Sequence, residues 1–165
     1  MNPSSRLVVA ALLGMLAPVA AGQSRPAEEP LDEAVAKAIQ KGAKNLWDQR
    51  QADGSWPAFT MGAYAFSTGP TALATYALLE SGVSPQDERM AATLDWLAKH
   101  DDQKTYSLAM RCQVWLIVNR KMQNKYRKEL EADVKRLVLS ASNGAYAYNA
   151  LGDGKEHAFD NSNSQ

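Results

Sequence analysis

From Leu31 onward, apolar positions recur every three or four residues, and no stretch alternates as a half-buried strand would. Leu31, Val35, Ala38, Ile39, Gly42 and Leu46 fall on one face of a first amphipathic helix. A second helix is expected to open at Thr68-Gly69-Pro70, with Pro70 in its first turn, and to stop at Gly82. Ser84-Pro85-Gln86-Asp87 predicts a third, with Ser84 as its cap and Met90, Leu94, Leu97 and Ala98 on one face. A fourth covers about 105–118. The fifth, about 124–140, aligns Tyr126, Leu130, Val134, Leu137 and Val138. The expected fold class is all-α.

The helices alternate in character. The first, third and fifth have one apolar and one charged face, whereas the second (TALATYALLES) and fourth (TYSLAMRCQVWLIV) are apolar nearly all round. Such a helix must be buried on most sides. Alternation of this kind predicts two concentric layers, the logic of helical-hairpin repeats and of an α/α barrel. A loose internal repeat agrees. Lys44-Asn45-Leu46-Trp47 returns as Lys135-Arg136-Leu137-Val138, and Asp53-Gly54-Ser55-Trp56 returns as Asn143-Gly144-Ala145-Tyr146, the second spacing one residue the shorter. Leu94-Asp95-Trp96-Leu97 marks a copy between them.

Ahead of the helices the pattern changes. One positive charge, Arg6, precedes the apolar run Leu7 to Leu16, then Pro18 and the small residues Val19-Ala20-Ala21. The run is too short for a hydrocarbon core of ~30 Å but long enough for the core of a signal peptide. No cysteine follows it to carry a lipid anchor. The expected organisation is a signal peptide over 1–21, a linker over 22–30 (ending QSRPAEEP) and a repeat domain over 31–165. Export to the periplasm or the exterior follows from it.

The segment Lys41-Gly42-Ala43-Lys44-Asn45-Leu46-Trp47-Asp48-Gln49-Arg50-Gln51-Ala52-Asp53-Gly54-Ser55-Trp56 resembles the QW motif of the squalene-cyclase and prenyltransferase repeat superfamily. Lys41, Gly42, Gln51, Gly54 and Trp56 take the places of that motif. The pair Leu46-Trp47 departs from its aromatic-first order, and the second repeat has Ser142 and Tyr146 for Gln and Trp. Asp160-Asn161-Ser162-Asn163-Ser164-Gln165 is similar to the family's D-x-S-N-T-Q opening of an inner helix. The resemblance implies a partial α/α toroid of helical hairpins, with QW motifs bracing the outer helices. Physical roles can be set beside it. Gly54 suits a positive-φ turn, the Gln51 amide could tie backbone groups of a neighbouring hairpin, and Trp56 would cover that amide.

Composition narrows the chemistry. Eighteen Lys and Arg balance 18 Asp and Glu, so no basic excess points to nucleic acid. One cysteine excludes an internal disulfide and a cysteine-built zinc site. The acidic Asp-x-Asp-Asp run of the family's cyclases does not occur. His100-Asp101-Asp102 is expected just past a helix end, with its acids solvated. His157 with Asp153, Glu156 and Asp160 could form a ligand set, although the surroundings suggest a loop. Cys112 is expected to be a buried, inert thiol. Trp47, Tyr64 and Phe66 could line a sugar or lipid groove, or serve the core.

No catalytic residue, cofactor or metal is therefore assigned. Two and a half hairpins fall short of a closed ring, so a truncated, N-terminal piece is expected, with Leu73, Leu78, Leu108, Val114 and Trp115 not all covered and a disordered tail over 143–165. The expected function is an exported, non-catalytic scaffold or binding module. Its expected partner is a hydrophobic ligand or the remainder of the same protein, with no membrane span. The alternatives are a piece of a terpenoid-cyclase-like enzyme, or an α/α-toroid polysaccharide lyase suggested by Gln51-Ala52-Asp53-Gly54-Ser55-Trp56-Pro57.

Overall fold

The computed structural model describes residues 30–61, 64–142 and 144–153. The expected signal peptide, most of the linker and the Asp160–Gln165 motif lie outside them, as do His157 and Glu156. Five helices dominate: α1 (Leu31–Gln49), α2 (Gly69–Glu80), α3 (Glu88–Lys99), α4 (Thr105–Lys121) and α5 (Arg127–Ser140). A short antiparallel hairpin, β1 (Phe59–Met61) and β2 (Tyr64–Phe66), joins α1 to α2 and pairs Phe59 with Phe66. The hairpin corrects the expectation of a strand-free chain. Phe-Thr-Met and Tyr-Ala-Phe suit strands, but three residues are too few to display a period of two.

Two layers are present. The almost uniformly apolar α2 and α4 form the inner pair and pack extensively on each other, and α4 also packs widely on α5. Leu78, Leu108, Val114, Trp115 and Val118 are fully buried on them. From the outer layer α3 contributes Met90, Leu94 and Leu97, also fully buried, while α5 contributes Leu130. At their starts α2 and α4 meet closely: a methyl on Gly69 would lie 2.7 Å from Ser107 Oγ. Just ahead of these starts, Thr68 donates its hydroxyl proton to Asp102. Both inner helices thus begin at one end of the molecule and run the same way. Of the five apolar residues expected to compete for cover, only Leu73 is exposed, at 44%.

Several boundaries shift for local reasons. Asp87, not Ser84, caps α3, accepting from the backbone N–H of Arg89 at 2.9 Å and of Met90 at 3.4 Å. Ser84 instead opens a preceding turn, in which the Asp87 N–H bonds to its carbonyl. Helix α5 begins three residues later than expected, because Gln123 and Asn124 take positive φ. The turn is locked where Tyr126 N–H donates to Asn119 Oδ1 at 2.8 Å. Gly82, at φ +96°, ends α2 as expected, with Val83 N–H returning to the Leu78 carbonyl.

Part of the tail is a further correction; residue 143 and residues 154–165 lie outside the described residues. Residues 144–153 are ordered against the start of α4. Thr105 N–H donates to the Tyr148 carbonyl at 3.0 Å, Ala150 N–H donates to that of Gln103, and Ala150 is fully buried. Its Gly and Asn residues bury little side chain, but backbone groups ahead of α4 need partners and this segment supplies them.

Candidate functional site

The QW-like segment becomes the end of α1 and the turn beyond it. Lys41 and Gly42 sit on the exposed face of α1, with open space around Gly42. Arg50 is extended and leaves the helix. Gln51 N–H then donates to the Ser55 carbonyl at 2.8 Å, and Gly54 N–H donates to that of Gln51 at 3.1 Å. Gly54 has φ +100°, and a methyl there would meet the Ala92 carbonyl at 3.1 Å, so the turn needs glycine twice over. Trp56 is buried. Its indole donates to the Leu46 carbonyl at 2.9 Å, its backbone N–H donates to Thr71 Oγ1, and its ring lies 5.9 Å from that of Trp47.

The side chain of Gln51 is exposed. The tie expected of its amide is made by Arg50, whose Nε donates to Thr93 Oγ1 at 3.0 Å and whose Nη2 donates to the Arg89 carbonyl at 3.1 Å. Thr93 in turn donates to the Gly54 carbonyl at 2.7 Å. Asp53 completes the brace, accepting from Ser55 and, at 3.2 Å, from the Trp96 indole. The Ser55 hydrogen bonds hold its carboxyl below the ordinary aspartate range. Arg50 and Thr93 had no signal in the sequence, because their meeting depends on how α3 sits against α1.

The turn after α5 follows the same plan with one residue fewer. Ala141 is extended, Ser142 and Ala145 exchange backbone hydrogen bonds at 2.9 and 2.8 Å, and Gly144 has φ +78°. The two repeat spacings of the sequence therefore correspond to two turns of slightly different length.

The second polar assembly lies between α3, α4 and α5. Arg111 and Asp133 form an ion pair at 2.8 Å with both side chains about 5% exposed. The Trp115 indole donates to the same carboxylate oxygen at 2.9 Å, and Arg111 also donates to the His100 carbonyl. Arg136 holds Asp101 at 2.6 Å and keeps that carboxyl below its usual range. Asp102 is buried, accepting from Thr68 and from the Lys104 N–H, which corrects the expectation that both acids are solvated. His100 stacks on Trp96 with centroids 3.9 Å apart and bonds through Nδ1 to the Trp96 carbonyl. These contacts fasten the α3–α4 connector to its neighbours.

Cys112 is buried on α4, and burial, with the nearby Asp133 charge, pushes its thiol up to about 11. It is poorly placed as a nucleophile at neutral pH. Trp47 packs on Trp56 beneath the Arg89 guanidinium, and Phe66 stacks on Phe59 at 4.7 Å. Among the described residues, no three His, Cys, Asp or Glu gather as a metal site, and no helix is long and apolar enough to cross a membrane.

The inner helices also leave some apolar side chains exposed. Leu73 on α2, and Tyr106 and Leu116 on α4, are 44%, 49% and 38% exposed. Leu73 borders an apolar groove of about 440 Å³ between α1 and α2, also lined by Leu46, Trp56, Pro57, Pro70 and Ala77. Comparison with protein-family models, with characterised proteins and with solved structures finds no match.

Proposed function

We propose that this protein is an exported, non-catalytic binding module built from hairpins like those of the squalene-cyclase and prenyltransferase toroids, taking an apolar ligand on its inner helices. The observation that carries this reading is the exposure of Leu73, Tyr106 and Leu116 on the two inner helices, with Leu73 bordering the apolar groove between α1 and α2. An open apolar groove on a packed helical scaffold marks an interaction site. Support for the toroid-like architecture comes from inner helices that start at one end and from matched turns after α1 and α5. The described hydrogen bonds of Asp102, Arg111 and Asp133 all run to the scaffold itself, which suits support more than reaction.

The test is titration of the purified chain with a long-chain isoprenoid alcohol, followed by displacement of a polarity-sensitive dye. Saturable displacement, lost in Leu73→Glu and Leu116→Glu variants that melt as the parent does, supports the reading. Displacement unchanged in both variants overturns it.

A further inference from the structure

The outer helices α1, α3 and α5 form a row against the inner pair. Leu46 and Gln49 of α1 share a groove with Pro70 and Leu73 near the start of α2. Ile39 and Ala43 share another with Ser81, Gly82 and Val83 past its end. Helix α1 therefore runs against α2, and its first turns extend beyond it. Helix α5 likewise runs against α4, with Tyr126 on Asn119 at one end and Arg136 on Asp101 at the other. Both end helices of the row thus start at the same end of the molecule. In the middle of the row, Met90, Leu94 and Leu97 of α3 are fully buried. The exposed large apolar side chains of the row lie on its ends, at Leu31, Val35 and Ile39 of α1 and at Val134, Val138 and Leu139 of α5. Helix α3 reaches α1 at Trp47 through Arg89, and it shares a cleft with Glu129, Ala132 and Arg136 of α5. At 3.6 residues per turn, the sides turned away from α3 carry Leu31, Val35, Ala38 and Gly42 on α1, and Leu130, Val134, Leu137 and Ala141 on α5. The two stripes share the spacing four, three, four.

We propose that a second copy of this chain continues the row, with α1 of one copy laid along α5 of the next in the same direction. Charge favours both the partner and the direction. Going into α1, the sequence carries Glu28, Glu29, Asp32 and Glu33 within six residues and no base. Going into α5, it carries Arg120, Lys121, Lys125, Arg127 and Lys128 within nine residues and no acid. Because the two helices start at the same end, continuing the row sets the acidic start beside the basic one. The pairs Glu33–Lys37 and Arg127–Glu131 are exposed and internal to their helices, so they oppose this little. Side-chain size agrees. Ala38 and Gly42 leave room for Leu137 and Val138 opposite, and a methyl on Gly42 would meet nothing within 4 Å. The contact joins different patches on the two copies, so it is heterologous and propagates into a ring or a filament. It does not depend on the apolar-ligand reading.

Analytical ultracentrifugation of the purified chain over a wide concentration range tests this. The average mass should rise above the monomer with concentration, and less steeply in about half-molar salt. Val35→Glu blocks the α1 side and Val138→Glu the α5 side. Each alone should weaken association at least about tenfold, because it places a carboxylate in an apolar contact. Mixed together, the two variants keep one sound α1 and one sound α5, so they should form a one-to-one pair that grows no further. The replaced side chains are 47% and 65% exposed, so melting curves should match the parent, and Leu31→Glu, at a position 77% exposed, repeats the α1 arm. Three results would each overturn the proposal. They are a parent that stays monomeric at about millimolar concentration, a Val138→Glu chain that still self-associates as a symmetric α1 pair would, and a mixture that does not pair.

Discussion

The turns after α1 and after α5 share a backbone plan but not a brace. Each begins with an extended residue, Arg50 or Ala141, closes a short loop by paired backbone hydrogen bonds, and places a glycine at positive φ. Around the first, Arg50, Asp53 and Thr93 tie the turn to α3, and Trp56 ties it to α1 and α2. Tyr146, in the place of Trp56, is only half-buried, and Ala145 replaces the Ser55 that anchors Asp53. Backbone and glycine suffice to make the exit from an outer helix. Locking such a turn onto neighbouring helices takes side chains, and the two turns differ there.

Substitution of the two aromatic plates should separate the turns most. Trp56→Ala is expected to cost about 3–5 kcal/mol, through lost burial and an orphaned Leu46 carbonyl, whereas Tyr146→Ala should cost about 1 kcal/mol. Chemical denaturation reads both, and equal losses would mean that the turns are braced alike.

The glycines should differ less. Gly54→Ala combines a left-handed backbone with a methyl 3.1 Å from the Ala92 carbonyl, and about 2–3 kcal/mol is expected. Gly144→Ala, with nothing within 4 Å, should lose only the backbone contribution of about 1 kcal/mol. Thermal melts of the two variants would rank in that order, and the reverse ranking would remove the close approach to α3 as the cause.

Acid should act on the first turn more than the second. The Asp53 carboxyl is held below its ordinary value, so its contribution is present above the unfolded aspartate value and fades as pH falls through the folded one. Asp53→Asn should therefore lower stability slightly at neutral pH and flatten the acid limb below about pH 4. An unchanged limb would show that Ser55 and Trp96 hold the residue without regard to its charge.

The smallest effect is expected at Gln51. Because its side chain is exposed and its part in the turn is played by the backbone, Gln51→Leu should stay within about 0.5 kcal/mol of the parent. A loss of about 1–3 kcal/mol would restore the amide as the tie between hairpins.

Much of the helical layout was legible because its causes are local. Apolar spacing, Pro70, Gly82 and Gly54 act within a few residues, and the near-uniform apolarity of α2 and α4 already required an inner layer. What the sequence hid was whatever depended on distant partners. Asp87 displaced Ser84 as a cap because the chain turned first, and Asn119 delayed α5 by holding Tyr126. The tail over 144–153 gained order from the needs of residues 103–105. Arg50 could take over the task expected of Gln51 only once α3 had brought Thr93 and the Arg89 carbonyl within reach. The cleft beside the end of α3 draws its lining from α3, α4 and α5, and no spacing along the chain relates Arg111 to Lys99 and Glu129. Local periodicity determined where the helices run, but not which faces are buried: the apolar face expected on α1 stays exposed at Leu31, Val35 and Ile39, as do Val134 and Val138 on α5. The packing of one hairpin on the next decided which polar groups met, because a hydrogen bond between residues tens of positions apart exists only after the layers have closed.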